Sequence, residues 1–118
     1  MDEIPEKYRK DLAIIRETAE QINRDITVDD FSVVLTGNQA TAFREIKDQL
    51  KPFLEKLLIN DKQVFQSMLY RIDISEKHYR MLLKETEIEK TADEFAELII
   101  RREFQKVLTR RFFSEREK

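Results

Sequence analysis

Apolar side chains recur along most of this chain at intervals of three and four residues, the spacing that lines up one face of an α-helix. After Pro5, whose fixed φ suits a first helical turn, the run Tyr8, Leu12, Ile15, Ala19 and Ile22 predicts one long amphipathic helix, with Ile14 widening its stripe. A second run, Phe43, Ile46, Leu50, Phe53 and Leu57, keeps its phase across Pro52 and predicts a single kinked helix between Gln39 and Leu58. Two short helices follow. Asn60 is the expected cap of one, flanked by Ile59 and Val64 as a hydrophobic staple and burying Val64, Phe65, Met68 and Leu69. Ser75, flanked by Ile74 and Tyr79, is the expected cap of the other, which buries Tyr79, Leu82 and Leu83.

The last helix is expected to start at Thr91, where Thr91 and Glu94 have capping-box spacing, and to run to about Phe113. Phe95, Leu98 and Ile99 form one stripe on it, and Ala96, Ile100, Phe104, Val107 and Leu108 form another. Its first half is therefore apolar around most of its circumference, as in a helix touched on several sides. The Glu-rich link from Lys84 to Lys90 reads as a mobile loop.

One stretch, Ile26 to Asn38, carries two patterns at once. Phe31, Val33 and Leu35 alternate as in a strand, whereas Phe31, Val34 and Leu35 have helical spacing. Thr27 with Asp30 resembles a capping box, Ile26 and Phe31 are placed as a staple, and Gly37 supplies a left-handed stop; together these favour a short helix over 28–36. The fold class expected from the whole pattern is all-α: a single domain over 1–118, a bundle of five or six helices with a long central C-terminal helix, and flexible ends at about 1–4 and 114–118.

Composition narrows the function more than it suggests one. A single glycine and two prolines in 118 residues leave few of the turn signals that sheets use, and no glycine-rich phosphate loop. The 22 Lys and Arg nearly balance 24 Asp and Glu, a net charge of -2, which reads as solvated helix faces and not as a polyelectrolyte tail. With no cysteine there are no disulfides and no thiolate chemistry; together with the absence of an apolar h-region in Met1–Glu6, this favours a cytoplasmic setting. No stretch has the roughly 20 apolar residues that span a bilayer.

Candidate chemistry is sparse. His78, the only histidine, has no carboxylate three or four residues away and reads as a surface residue in a first helical turn. Glu85, Glu87 and Glu89 are spaced by two, wrong for a helical cation site, and Asp93, Glu94 and Glu97 suit the positive end of the helix dipole. Arg71, Asp73, Glu76 and Arg80 have the makings of an ion-pair cluster around the junction 72–75. The expectation is no catalytic residue, no cofactor and no metal.

Two features of the last helix point outward. Arg101, Arg102, Lys106, Arg110, Arg111 and Arg116 interleave with aromatics, which makes Arg102, Lys106, Arg110 and Arg111 candidate nucleic-acid contacts. Adjacent Phe112 and Phe113 cannot both face one groove, which makes them a candidate partner surface. The favoured function is a small helical protein-protein interaction module, homodimeric, without catalysis; a nucleic-acid-binding helical domain is the alternative.

Overall fold

A computed structural model describes residues 6–82, 84 and 87–116. Five helices and one leading α-turn make up the fold: α1 (Glu6–Arg9), α2 (Leu12–Asp25), α3 (Ala42–Asn60), α4 (Lys62–Ile72), α5 (Glu76–Leu82) and α6 (Ile88–Arg116). Among the described residues there is no strand, as the helical periodicity requires. The second helix runs through Pro52 without interruption, and α6 is the long central helix expected. Ile99, Ile100 and Val107 are fully buried, and Phe104 nearly so, on a helix that packs against both α2 and α3. At about 1.5 Å per residue its 29 residues extend about 43 Å, close to the 45 Å long dimension of the molecule. Phe95 meets Phe65 of α4 edge to face at 4.9 Å, tying the shorter helices to the same core.

Several helix boundaries differ from expectation, and local capping explains most of them. The first predicted helix is two pieces, because Asp11 leaves the helical region (φ -86°, ψ 103°) and its carboxylate accepts the Ile14 N–H at 3.2 Å. Asp61, not Asn60, caps α4 by accepting from the Val64 N–H at 3.1 Å; Ile59 is 63% exposed and forms no staple. Ser75 caps α5 as expected, its hydroxyl accepting from the His78 N–H at 3.3 Å, although Tyr79 and Leu82 are only half-buried. Leu83 lies outside the described residues. Thr91 is not a cap: α6 starts a turn earlier, and the Thr91 hydroxyl donates back to the Glu87 carbonyl at 3.1 Å. The expected loop at 84–90 is therefore helical from Ile88, with Glu85 and Thr86 outside the described residues. Of the expected flexible ends, 1–4, 117 and 118 lie outside the described residues, while 114–116 continue α6.

The largest correction is the stretch 28–36, which is not a helix. Asp29 and Asp30 both take left-handed φ (48° and 59°), and the Phe31 N–H donates to the Val28 carbonyl at 2.8 Å, closing a tight reversal in place of a capping box. From there the chain runs extended as a strap laid between α2 and α3. Val33 sits beside Asn23, Gly37 beside Arg16, and the Gln39 amide donates to the Lys10 carbonyl, so the strap retraces α2 from its end to its start. Phe31 stacks on Phe53 at 4.1 Å, Val33 is buried and Leu35 half-buried, the strand-like alternation in the sequence. Gly37 does hold a left-handed φ of 96°, but in a bend of the strap and not at a helix end.

An isolated extended segment has no neighbouring strand to satisfy its backbone, and side-chain amides do so here. Asn23 of α2 accepts from the Val33 N–H at 2.7 Å and donates to the Val33 carbonyl at 3.0 Å. Gln49 of α3 treats Val34 the same way, at 2.9 Å in both directions. Glu45 accepts from the Thr36 N–H at 2.8 Å and the Thr36 hydroxyl at 2.9 Å, and the Thr41 hydroxyl, followed by these two bonds, holds its carboxyl below the ordinary range. The Asn23 clamp lies against buried Val33, so Asn23→Ala should cost about 1–3 kcal/mol by stranding two backbone groups. Gln49→Ala, which frees groups that water can reach, should cost under about 1 kcal/mol. Urea unfolding of the two variants checks the order.

Candidate functional site

Charge is sorted along α6. Its N-terminal half carries acids that face α3: Lys47 Nζ lies 2.8 Å from Glu97 and 3.1 Å from Asp93, and Lys51 reaches Glu89 at 3.4 Å and Asp93 at 3.8 Å. The hydrogen bond to Glu97, reinforced by Asp93, raises Lys47 against the pull of burial. The C-terminal half carries bases that face α2: Lys106 meets Asp25 at 2.8 Å, Arg110 donates to Gln21 at 2.9 Å and Arg111 Nε meets Glu17 at 2.5 Å. Arg102 turns to Asp73, at 2.8 Å, where Asp73 ends α4 in a left-handed conformation. All four candidate nucleic-acid contacts thus hold an acid or amide of their own chain. The turn residues Arg71, Asp73, Glu76 and Arg80 do not form one cluster: Glu76 pairs with Arg80 at 2.8 Å, Asp73 with Arg102, and Arg71 donates to the Thr27 hydroxyl.

Within this arrangement Glu103 stands apart. Its side chain is fully buried, with Lys106 and Asp25 as the charged groups beside it. Lys106 Nζ stands 2.8 Å from Glu103 Oε1 as an ion pair and donates to Asp25, also at 2.8 Å. Burial pushes the Glu103 carboxyl up to about 8, and Asp25 within hydrogen-bonding reach adds to the rise against the opposing pull of Lys106. Burial works in the same direction on Asp25, yet hydrogen bonding to Glu103, Lys106 and Gln21 outweighs it and holds Asp25 below the ordinary range. Lys106 is raised, because its two carboxyl neighbours overcome the effect of burial. At neutral pH the proton of this carboxyl pair resides on Glu103. The folded chain keeps it where the unfolded chain has released it, so the contribution of Glu103 to stability is full below pH 4.5 and is lost as pH climbs to about 8. Asp25 works oppositely, its contribution being lost as pH falls below 3.8 through the lowered folded value.

Two clefts border these elements. Asp25 forms part of the wall of a mixed polar and apolar one of about 340 Å³, with Thr27, Val28, Asp61, Val64 and Arg71 among its other lining residues. At the far end of α6 a wider cleft of about 520 Å³ is lined by Tyr8, Asp11, Ile14, Leu108, Arg111 and Phe112. Phe113, the next residue, is outside that lining and 57% exposed, while Phe112 is 58% exposed. The adjacent phenylalanines diverge as the helix geometry requires. His78 is exposed, its Nδ1 3.0 Å from the Ser75 hydroxyl. Among the described residues no three His, Cys, Asp or Glu side chains are grouped to hold a metal ion, and no helix is long and apolar enough to cross a membrane.

No protein family, curated protein or solved structure matches this chain. The site is therefore defined by its own geometry. Sequence reasoning found the basic stretch and the two phenylalanines but missed the interhelical pairing and Glu103. The signal was there: Glu17, Gln21 and Asp25 recur every four residues, as do Glu89, Asp93 and Glu97, and Lys47 and Lys51. Because Lys106 is shared by two carboxyls, one of them without other support, Lys106→Met should cost about 2–4 kcal/mol at neutral pH, whereas the exposed Arg110→Ala should stay within about 0.5 kcal/mol. Chemical denaturation of both variants at pH 7 measures the difference.

Proposed function

We propose that this protein is a non-catalytic helical interaction module that self-associates through the C-terminal end of α6. The observation that carries this reading is an outward Phe113 beside an open, largely apolar cleft on the same helix end, with Tyr8, Ile14, Leu108 and Phe112 in its lining. A two-fold interface needs one patch that carries both halves of the fit, and here a ring and a hollow lie side by side. Phe113 of one copy enters the cleft of the other, and the reverse contact follows by symmetry. Arg111 and Asp11 in the lining supply the polar edge that such interfaces have around an aromatic centre. Absence of cysteine suits the reducing cytoplasm as the place where the pair forms.

Nucleic-acid binding takes second place. Arg102, Lys106, Arg110 and Arg111 would have to give up partners on α2 and at the end of α4 to reach phosphates. Sedimentation equilibrium from about 1 to 200 μM should give a dimer whose dissociation constant falls inside that range. Phe113→Asp should leave a monomer whose melting temperature matches that of the wild type at concentrations below the dissociation constant, since the ring it replaces is exposed in the single chain. A wild-type chain that stays monomeric throughout, or steep salt-sensitive retention on heparin, would replace self-association with another function.

A further inference from the structure

Glu103 poses a problem that its surroundings resolve in one protonation state only. Its own helix brings Lys106 to it, and α2 brings Asp25, with neutral Gln21 donating to the Asp25 carboxylate at 3.1 Å. The cleft that Asp25 borders is also lined by Asp61, the cap of α4, and by Arg71 of α4. The α3 lysines, Lys47 and Lys51, are engaged further along with Glu89, Asp93 and Glu97, and Arg102 with Asp73. Two carboxyls therefore face one ammonium. With both ionised, a net negative charge sits on a pair of which Glu103 is fully buried, an arrangement that a protein interior does not tolerate. A proton on Glu103 removes the excess charge and supplies the O–H that can donate to Asp25.

The position of this group gives its protonation a structural consequence. Asp25 is the last residue of α2, and the next N–H, that of Ile26, closes the helix on the Ile22 carbonyl at 2.8 Å. Four residues on, the left-handed pair Asp29 and Asp30 begins the strap. Lys106 to Asp25 thus ties the end of α2, next to the first turn of the strap, to the middle of α6, with Arg110 to Gln21 one turn earlier and Arg71 to Thr27 from α4 beside it. The adjoining cleft of about 340 Å³ gives water a route to that end.

We propose that Asp25, Glu103 and Lys106 act as a proton-dependent latch: with the proton on Glu103 the latch ties the end of α2 to α6, and loss of that proton to water in the cleft frees the end of α2 and the first turn of the strap. The fold then carries a sensor of mild alkalinity made of residues other than those of the dimer contact at the C-terminal end of α6.

The decisive experiment follows the Glu103 side-chain carboxyl by carbon-detected NMR in the wild-type chain and, in parallel, hydrogen exchange at the Ile26 and Phe31 amides from pH 5 to 9. A Glu103 midpoint at least about two units above an ordinary glutamate is expected, with protection of both amides falling about tenfold across it beyond the intrinsic rise of exchange with pH. Asp25→Asn should bring the Glu103 midpoint down by about one unit or more, because the charge that opposes ionisation is gone and Lys106 is left to Glu103 alone. Glu103→Gln should make amide protection independent of pH over the same range. A Glu103 midpoint near the ordinary glutamate value would overturn the latch, and so would a high midpoint without any change at Ile26 and Phe31. Should Glu103→Gln fail to fold, the wild-type titration and Asp25→Asn still decide.

Discussion

Two helices that lie against a third and run in the same direction cannot be joined by a short turn. The ion pairs along α6 put this chain in that position: contacts that rise along α2 fall along α6, from Glu17–Arg111 to Asp25–Lys106, and the same holds from Lys47–Glu97 to Lys51–Glu89 on α3. Both α2 and α3 are antiparallel to α6 and hence parallel to each other. The link between them must travel back about the length of α2, some 21 Å at about 1.5 Å per residue. Eight or nine residues in a helix would cover little more than half of that, whereas extended backbone at about 3.3 Å per residue covers it fully. The strap is extended because the arrangement of the three long helices demands reach.

That demand has a chemical cost, which α2 and α3 meet from both sides. Extended backbone without a neighbouring strand leaves donors and acceptors open, and Asn23, Gln49 and Glu45 offer side chains that can donate, accept or do both in the plane where a strand would have bonded. The strap becomes in effect a strand whose two partners are helices. Its inward residues, Phe31 and Val33, fill the seam between α2 and α3 and complete the core from the side that α6 does not cover.

The charges on α6 serve orientation more than attraction. Single surface pairs contribute little, but acids toward α3 and bases toward α2 set the register of both neighbours, and exchanging the two would bring like charges together. Glu103 is the exception, a carboxyl placed inside the same pattern with no cation of its own. A buried group of this kind is poor support for a fold and is better understood through what its protonation controls. Phe113 lies about two helical turns beyond Lys106 and nearly three beyond Glu103, so association and proton response are carried by different side chains.

Much of this fold was legible in the chain itself. Periods of three and four residues marked the long helices, phase continuity carried α3 through Pro52, and the two-stripe pattern from Phe95 to Leu108 placed α6 at the centre, because burial of a helix is written in its own side chains. Asp11 and Asp61 went unread as caps, and Thr91 was read as one where α6 begins a turn earlier, because a capping oxygen is recognised by the φ and ψ of its backbone, which several neighbouring residues could equally have adopted. The strand-like alternation of Phe31, Val33 and Leu35 was visible, but it lost to capping signals that only the left-handed turn at Asp29 and Asp30 cancels. Phe112 and Phe113 and the basic stretch were found as residues; that the bases are held by α2, and that Glu103 shares Lys106 with Asp25, depended on side chains about eighty to ninety positions apart meeting. Local periodicity is set by neighbours along the chain and can be read there. The path of the strap and the partner of each charge follow from how whole helices pack, and only the tertiary structure decides that.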